Sequence, residues 1–182
     1  MSDQALTVLN LLSFIAVIGN AAIVALAIVL IANQGAKKRF SKLSGYLGER
    51  GLLFALFIAV LGTIGSLYFS EIAHLPPCKL CWFQRIAMYP QVILLGIAIW
   101  KKHTFIALYG IVLSAVGAAI AVYHYYIQMV PTGLVPCSIY DPVSCTEKVA
   151  VNYGYVTFPM ISLTGFLLML LLLLFFRRYH RT

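Results

Sequence analysis

Five long apolar stretches dominate this sequence, and their length strongly constrains how the chain can fold. A helix needs about 20 apolar residues to cross the hydrocarbon core of a bilayer, and each stretch is near or above that length. Backbone N–H and C=O groups in lipid must be satisfied within the segment, so we expect five transmembrane α-helices. The alternating polarity of β-barrel strands is absent. The predicted helices cover roughly Thr7–Ala32, Gly51–Phe69, Trp82–Trp100, Thr104–Met129 and Phe158–Phe176.

The composition agrees with an all-α membrane protein. Hydrophobic residues make up 62% of the 182 residues and charged residues 10%. A soluble domain is about 45–50% hydrophobic and about 25% charged. A soluble globule and a disordered chain are both excluded, and no length remains for a soluble domain. The first apolar run is longer than the 7–15 residues of a signal-peptide core and no basic segment precedes it, so we expect it to remain as a helix.

The basic residues predict the orientation. The formal charge is +8, with 13 Lys and Arg against 5 Asp and Glu. Cytoplasmic loops of membrane proteins are enriched in Lys and Arg. The connections after helices 1 and 3 and the C-terminus carry ten of the 13, so we expect them in the cytoplasm and the N-terminus outside. We expect contact with membrane lipid but not with nucleic acid, because no folded domain presents a basic face. The ten residues are Lys37, Lys38, Arg39, Lys42, Arg50, Lys101, Lys102, Arg177, Arg178 and Arg181.

All four cysteines fall in the two segments predicted to lie outside the membrane, residues 70–81 and 130–157. Disulfides can form and persist on that side. Cys78 and Cys81 form a C-x-x-C motif in the first segment, and Cys137 and Cys145 lie in the second. Four cysteines allow three pairings, and the local spacing favours Cys78–Cys81 and Cys137–Cys145. A bridge across two residues removes little entropy from the unfolded chain, so redox chemistry is favoured over stapling for the first pair. For the second pair, stapling remains an equal alternative.

Two other uses of the cysteines fit the sequence poorly. A four-thiolate zinc site usually has two short C-x-x-C motifs, but seven residues separate the second pair. We therefore expect no metal. Attachment of a c-type haem requires His directly after the second Cys, and that position is Trp82.

Arg85 follows Cys81 by one helical turn, which places both on one face of helix 3. The start of a helix favours a thiolate through its free N–H groups. An arginine at a membrane boundary is often a snorkelling anchor, but beside Cys81 a functional role is favoured. A thiolate next to a cation can reduce an oxidant dissolved in the membrane, and a quinone fits because its head group can reach a bundle edge.

These residues resemble the disulfide-bond formation protein B (DsbB) family. The similarity covers about residues 51–176, and the first-loop signature is the run PCKLCWFQRIAMYP at 77–90. The second pair has a short spacing, which resembles the short-loop branch of the family. Further similarity lies in Tyr123-His124-Tyr125, Pro136-Cys137, Cys145-Thr146, Phe158-Pro159-Met160 and Leu163-Thr164.

The resemblance implies a four-helix membrane oxidase of the bacterial plasma (inner) membrane. Such a protein reoxidises an extracytoplasmic thioredoxin-like (DsbA-like) thiol oxidase and passes the electrons to ubiquinone or menaquinone. It implies that Cys78 and Cys81 are the quinone-linked pair, with the Cys81 thiolate next to the quinone. Cys137 and Cys145 would exchange with the soluble partner, Cys137 through a mixed disulfide. Arg85 and His124 would flank the quinone, and a buried histidine with a hydrogen-bond partner is an equal alternative for His124.

Helix 1 is extra relative to the four-helix family. We therefore expect residues 1–34 to be an additional N-terminal transmembrane helix, and residues 35–182 to be the four-helix oxidase unit. The segment Thr146–Thr157 has alternating apolar and polar residues and is expected to lie along the outer surface and steady the second pair.

Three alternative functions fit the sequence less well. A vitamin K epoxide reductase-like enzyme does related chemistry, but there the quinone-side C-x-x-C follows the shuttle pair, whereas here it comes first. A membrane scaffold with disulfide-stapled outer loops predicts disulfides that resist mild reductant. A transporter would have ionisable groups at helix centres or inverted repeats, and the sequence shows neither.

Overall fold

The computed structural model describes residues 3–35, 41–102, 104–130, 144–146, 148 and 151–180. Five long α-helices account for most of them, and all five are long and apolar enough to cross a membrane. No strand is present in these residues apart from one isolated bridge, so the predicted all-α membrane fold is confirmed. The helices are α1 (Asp3–Gly35), α2 (Ser41–Leu67), α3 (Lys79–Lys101), α4 (Ala107–Met129) and α5 (Phe158–Tyr179).

Most of the helices are longer than the apolar stretches that predicted them. Helix α2 begins at Ser41, ten residues before the expected start at Gly51, and thus includes Arg50. The apolar length reports only the part suited to hydrocarbon, whereas the helix continues into its polar flank. A short 3₁₀ turn at Thr104–Ile106 precedes α4.

Consecutive helices alternate in direction. Helices α2 to α5 form an up-and-down bundle, and α1 lies parallel to α5, as the pairs Asn20–Thr164 and Leu30–Arg178 show. The bundle has two ends that carry different side chains. The end that contains Cys78, Cys81 and Cys145 is called the cysteine end below.

Helix α5 contacts all four other helices. Its residues Phe166, Met169 and Leu173 are completely buried. Glycines allow the close approaches: a Cβ on Gly117 of α4 would clash with the Phe166 ring, and a Cβ on Gly51 of α2 would meet the Leu172 carbonyl oxygen at 2.7 Å. Such small-residue contacts drive helix association in lipid, where apolar burial alone supplies little.

The connection from α2 to α3 is short. Helix α2 continues into a π-turn at Tyr68–Ile72. His74 then adopts a left-handed conformation with φ 53°, and Cys78 is extended. The helix thus ends four residues before Pro76. The residue preceding each proline is pushed towards extended conformations, which disfavours a helix across this connection.

A small hairpin precedes α5. Asn152 and Val156 exchange two backbone hydrogen bonds of 2.9 and 2.8 Å. Tyr153 and Gly154 between them have φ values of 54° and 79°, and the left-handed region favours glycine over other residues. We call residues 152–156 the outer hairpin.

Replacing Gly117 tests the α4–α5 packing. We expect Gly117→Ala to destabilise the protein by about 1–3 kcal/mol, because the new methyl group displaces the buried Phe166 ring. Gly96→Ala in α3 is the matched control, since no atom lies within 4 Å of its added Cβ. SDS-induced unfolding of the purified protein measures both. Equal stability of the two variants contradicts this packing.

Candidate functional site: a reduced cysteine pair at the start of α3

The C-x-x-C motif lies at the first turn of α3. Cys78 is the N-cap residue, and its sulfur accepts a hydrogen bond from the Cys81 backbone N–H at 3.3 Å. The sequence pointed to Cys81 as the residue at the helix start. The helix begins three residues earlier than Trp82, however, so the N-terminal N–H groups favour a thiolate on Cys78 directly.

Both cysteines are free thiols, although the local spacing favoured a disulfide between them. Their sulfurs lie 2.8 Å apart and share a hydrogen. The hydrogen bond from the Cys81 thiol lowers the pKa of Cys78 to about 4, against the opposing effect of burial, and a hydrogen bond from His124 adds to the lowering. In the reduced pair Cys78 is therefore a thiolate at neutral pH.

The sulfur separation also bears on metal binding. Cys78, Cys81 and His124 have ligand atoms within 4.8 Å of one another, as a metal site requires. Two thiolates on one tetrahedral zinc ion, with Zn–S bonds near 2.3 Å, lie about 3.8 Å apart. The observed 2.8 Å is much shorter. The geometry therefore favours thiol–disulfide chemistry over metal binding.

His124 of α4 is 2% exposed and joins three parts of the site. Its Nε2 lies 3.2 Å from the Cys145 carbonyl oxygen and 3.7 Å from the Cys78 sulfur. Its Nδ1 lies 3.0 Å from the Gln84 side-chain nitrogen. The tautomer protonated on Nε2 satisfies all three contacts: it donates to Cys145 and Cys78 and accepts from Gln84.

Cys145 packs directly against the first pair. It is 1% exposed, is disulfide-bonded, and forms a buried cluster with Cys78 and Ile127. Leu80 and Cys81 pack against this cluster. Cys137 lies outside the described residues, so its pairing with Cys145 stays a prediction. The structure thus brings a reduced pair and a disulfide-bonded cysteine together at one end of the bundle.

Arg85 is held between α2 and α3. Its Nε donates to the Ser66 hydroxyl and its Nη2 to the Ser66 carbonyl, both at 2.9 Å. Its guanidinium also lies over the Trp82 ring, 5.2 Å from the ring centre. Tyr89 donates to the same Ser66 hydroxyl at 3.2 Å. Nη1 has no hydrogen-bond partner among the described residues and thus remains available to an acceptor.

Sequence reasoning assigned no role to Ser66, Gln84 or Tyr89. Gln84 is 6% exposed in an apolar helix, and a buried polar side chain in a membrane helix is costly unless it is paired. The sequence could therefore have identified Gln84 as a side chain that needs a hydrogen-bond partner. Ser66 had no such signal, because a lone serine in a membrane helix usually bonds its own backbone.

Known proteins similar to this chain share one description. The chain is 44% identical over 119 residues to the "Probable disulfide formation protein C" of Bacillus cereus, which covers 65% of this chain and 86% of that protein. It is 40% identical over 116 residues to the "Disulfide bond formation protein C" of Bacillus subtilis, covering 63% and 83%. A "Probable disulfide formation protein" of Coxiella burnetii is 37% identical over 128 residues, covering 69% and 86%. No solved structure shows significant similarity.

The family comparison agrees with the geometry of the site. The model of the family "Disulfide bond formation protein DsbB" matches residues 49–176, which is well over half of the chain. The matched part includes α3, α4 and most of α5 with the whole cysteine site, and α1 lies outside it. The chain therefore belongs to the DsbB family of membrane disulfide oxidoreductases.

Proposed function

We propose that this protein reoxidises an extracytoplasmic thioredoxin-like thiol oxidase and passes the electrons to a quinone in the membrane. The observation that carries the proposal is the contact of the reduced Cys78–Cys81 pair with disulfide-bonded Cys145. In the proposed orientation the cysteine end faces outward from a bacterial plasma membrane and the C-terminus faces the cytoplasm. The soluble partner then attacks the second pair from the aqueous side at Cys137, as the family resemblance implies, since Cys145 is 1% exposed.

The contact supports a direct exchange between the pairs. The partner's dithiol first reduces the disulfide of Cys145 and is itself oxidised. The Cys145 thiolate then attacks Cys78 of an oxidised Cys78–Cys81 pair, which forms a Cys145–Cys78 bond and releases the Cys81 thiolate. A second thiol, assigned to Cys137 by the family resemblance, attacks Cys145 and restores its disulfide. Cys78 and Cys81 then hold two electrons as a dithiol, which is the state described above.

Residues of α3 fit a quinone on the membrane side of this pair. Arg85 presents an unpaired Nη1 one turn from Cys81, and the Trp82 ring beneath it is 53% exposed. A quinone supplies a two-electron acceptor when bound. Arg85 can donate to a quinone oxygen and favours the negative charge that develops there, while Ser66 keeps the guanidinium in place. Because Cys78 is already a thiolate, only the proton shared with Cys81 remains to be released.

The alternative of stapled outer loops is less well supported. A staple requires a stable bridge, but Cys78 and Cys81 are free thiols in contact. The lowered pKa of Cys78 instead suits a thiol that forms and breaks disulfides.

Loss of Cys81 tests the electron path. In Cys81→Ser we expect quinone reduction by a reduced thioredoxin-like protein to fall to the uncatalysed background, since the Cys78–Cys81 disulfide can no longer form. Lys79→Ala is the matched control, because Lys79 lies between the cysteines and is exposed. Quinone absorbance during turnover of the purified protein measures both. Ordinary turnover of Cys81→Ser overturns the proposal.

Loss of Arg85 tests the quinone site. A hydrogen bond from a charged group contributes about 1.5–3 kcal/mol, so Arg85→Ala should raise the KM for quinone about 10- to 100-fold. The KM for the protein dithiol should stay within about twofold. Arg50→Ala is the control, because Arg50 also lies over an aromatic ring, Tyr46, in another helix. An unchanged quinone KM in Arg85→Ala refutes the assigned role.

The pKa of Cys78 predicts a pH profile. With a pKa of about 4, the reduced pair should be alkylated at Cys78 at a constant rate from pH 5 to 8, with a loss only as pH falls towards 4. Cys81→Ala removes the main donor, so the pKa should rise towards 9.0 and the rate should climb with pH. Cys81→Ser should lie between them, because a hydroxyl still donates. Mass spectrometry after iodoacetamide treatment assigns the modified residue. A wild-type rate that climbs with pH up to 8 contradicts the thiolate.

A further inference from the structure

Helix α1 lies outside the matched family region and carries polar residues that an isolated membrane helix does not need. Its buried positions recur at helical spacing as Ala5, Leu9, Ser13, Ala16 and Gly19, while the rest of its outer half is mostly exposed. One narrow stripe, made of small residues except for Leu9, therefore faces the protein. In this stripe the close approach occurs at Gly19, whose added Cβ would lie 2.6 Å from Thr164 of α5.

The outer part of α1 binds the outer hairpin. The Asn152 side-chain nitrogen donates to Asn10 Oδ1 at 3.0 Å and to Ser13 Oγ at 2.9 Å. Asn10 and Ser13 are three residues apart and thus share one face of the helix. The two hydrogens of one amide satisfy two α1 side chains, which is a specific fork rather than general apolar packing.

The outer hairpin is also tied to the other helices. Tyr125 of α4 donates to the Tyr155 carbonyl at 3.2 Å. Val156 and Thr157 are both 2% exposed, and Thr157 is the N-cap of α5. The hairpin thus has anchors on α1, α4 and α5.

Cys145 is connected to this hairpin by six intervening residues. Cys145 is also held by the hydrogen bond from His124 to its carbonyl oxygen, by its packing against Cys78 and Ile127, and by its disulfide. A chain of six residues spans at most about 20–25 Å, so the position of Asn152 limits where the Cys145 segment can move. The described hydrogen bonds of Cys78, Cys81, Gln84 and Arg85 run to α2, α3 and α4, and none involves α1.

We propose that α1 is a positioning element for the second cysteine segment: Asn10 and Ser13 hold Asn152, and through the outer hairpin they present the Cys145 disulfide to the protein dithiol. This inference rests on the proposed function, because it concerns the step with the soluble partner. Asn10, Ser13 and Asn152 are positioning residues with no contact to a reacting atom. Their loss should weaken use of a protein dithiol, while a small dithiol, which needs no docking surface, should be used as before.

The test compares two electron donors on the full-length purified protein. Quinone reduction is measured with a reduced thioredoxin-like protein and with dithiothreitol. We expect Asn152→Ala and the double variant Asn10→Ala/Ser13→Ala each to raise the KM for the protein donor about tenfold, and to leave kcat with dithiothreitol within about twofold. Asn10→Asp keeps the acceptor oxygen and should behave as wild type.

The matched control is Asn20→Ala, which breaks a second polar contact of α1, the 2.8 Å hydrogen bond from Thr164 of α5. That contact lies away from the outer hairpin, so the KM for the protein donor should not change. Equal losses in Asn20→Ala and Asn152→Ala, or an unchanged KM in both outer variants, overturn the inference. Absence of quinone reduction by wild type with either donor rejects the proposed function instead.

Discussion

Close packing against α5 supports the whole bundle. This helix contacts each of the other four, and glycines of α1, α2 and α4 face it at Thr164, Leu172 and Phe166. Lipid tails are as apolar as the side chains, so these helices gain little from hydrophobic burial when they associate. Tight van der Waals contact and satisfied polar groups must supply the specificity. The positions of α2, α3 and α4 around α5 then decide which side chains meet at the cysteine end.

At that end, polar contacts between helices form the site. Arg85 of α3 is fixed by Ser66 of α2, and Gln84 of α3 contacts His124 of α4. His124 in turn bonds the backbone of Cys145, which lies in the segment before α5. Each contact satisfies a polar group that is costly to bury alone. The same contacts bring a reduced cysteine pair against a disulfide-bonded cysteine, with a cation on the membrane side.

Much of the fold could be predicted from the chain, because apolar length and the backbone's demand for hydrogen bonds in lipid leave few alternatives. The position of the C-x-x-C motif at a helix start could also be predicted from the sequence. The N-cap residue could not: it is Cys78, since α3 begins at Lys79 before its apolar stretch. The partner of Arg85 was equally hidden, because Ser66 is 19 residues away and only the α2–α3 packing brings it close.

The sequence by itself determined five membrane-spanning helices, the DsbB-like motif and the spacing that places Arg85 one turn after Cys81, because these follow from local pattern and helical period. Only the tertiary structure decided that Cys145 packs on Cys78, that His124 joins them, and that α1 reaches Asn152. These pairs lie 21 to 142 residues apart along the chain. Contacts over such separations depend on how helices pack around α5, and no local pattern encodes that arrangement.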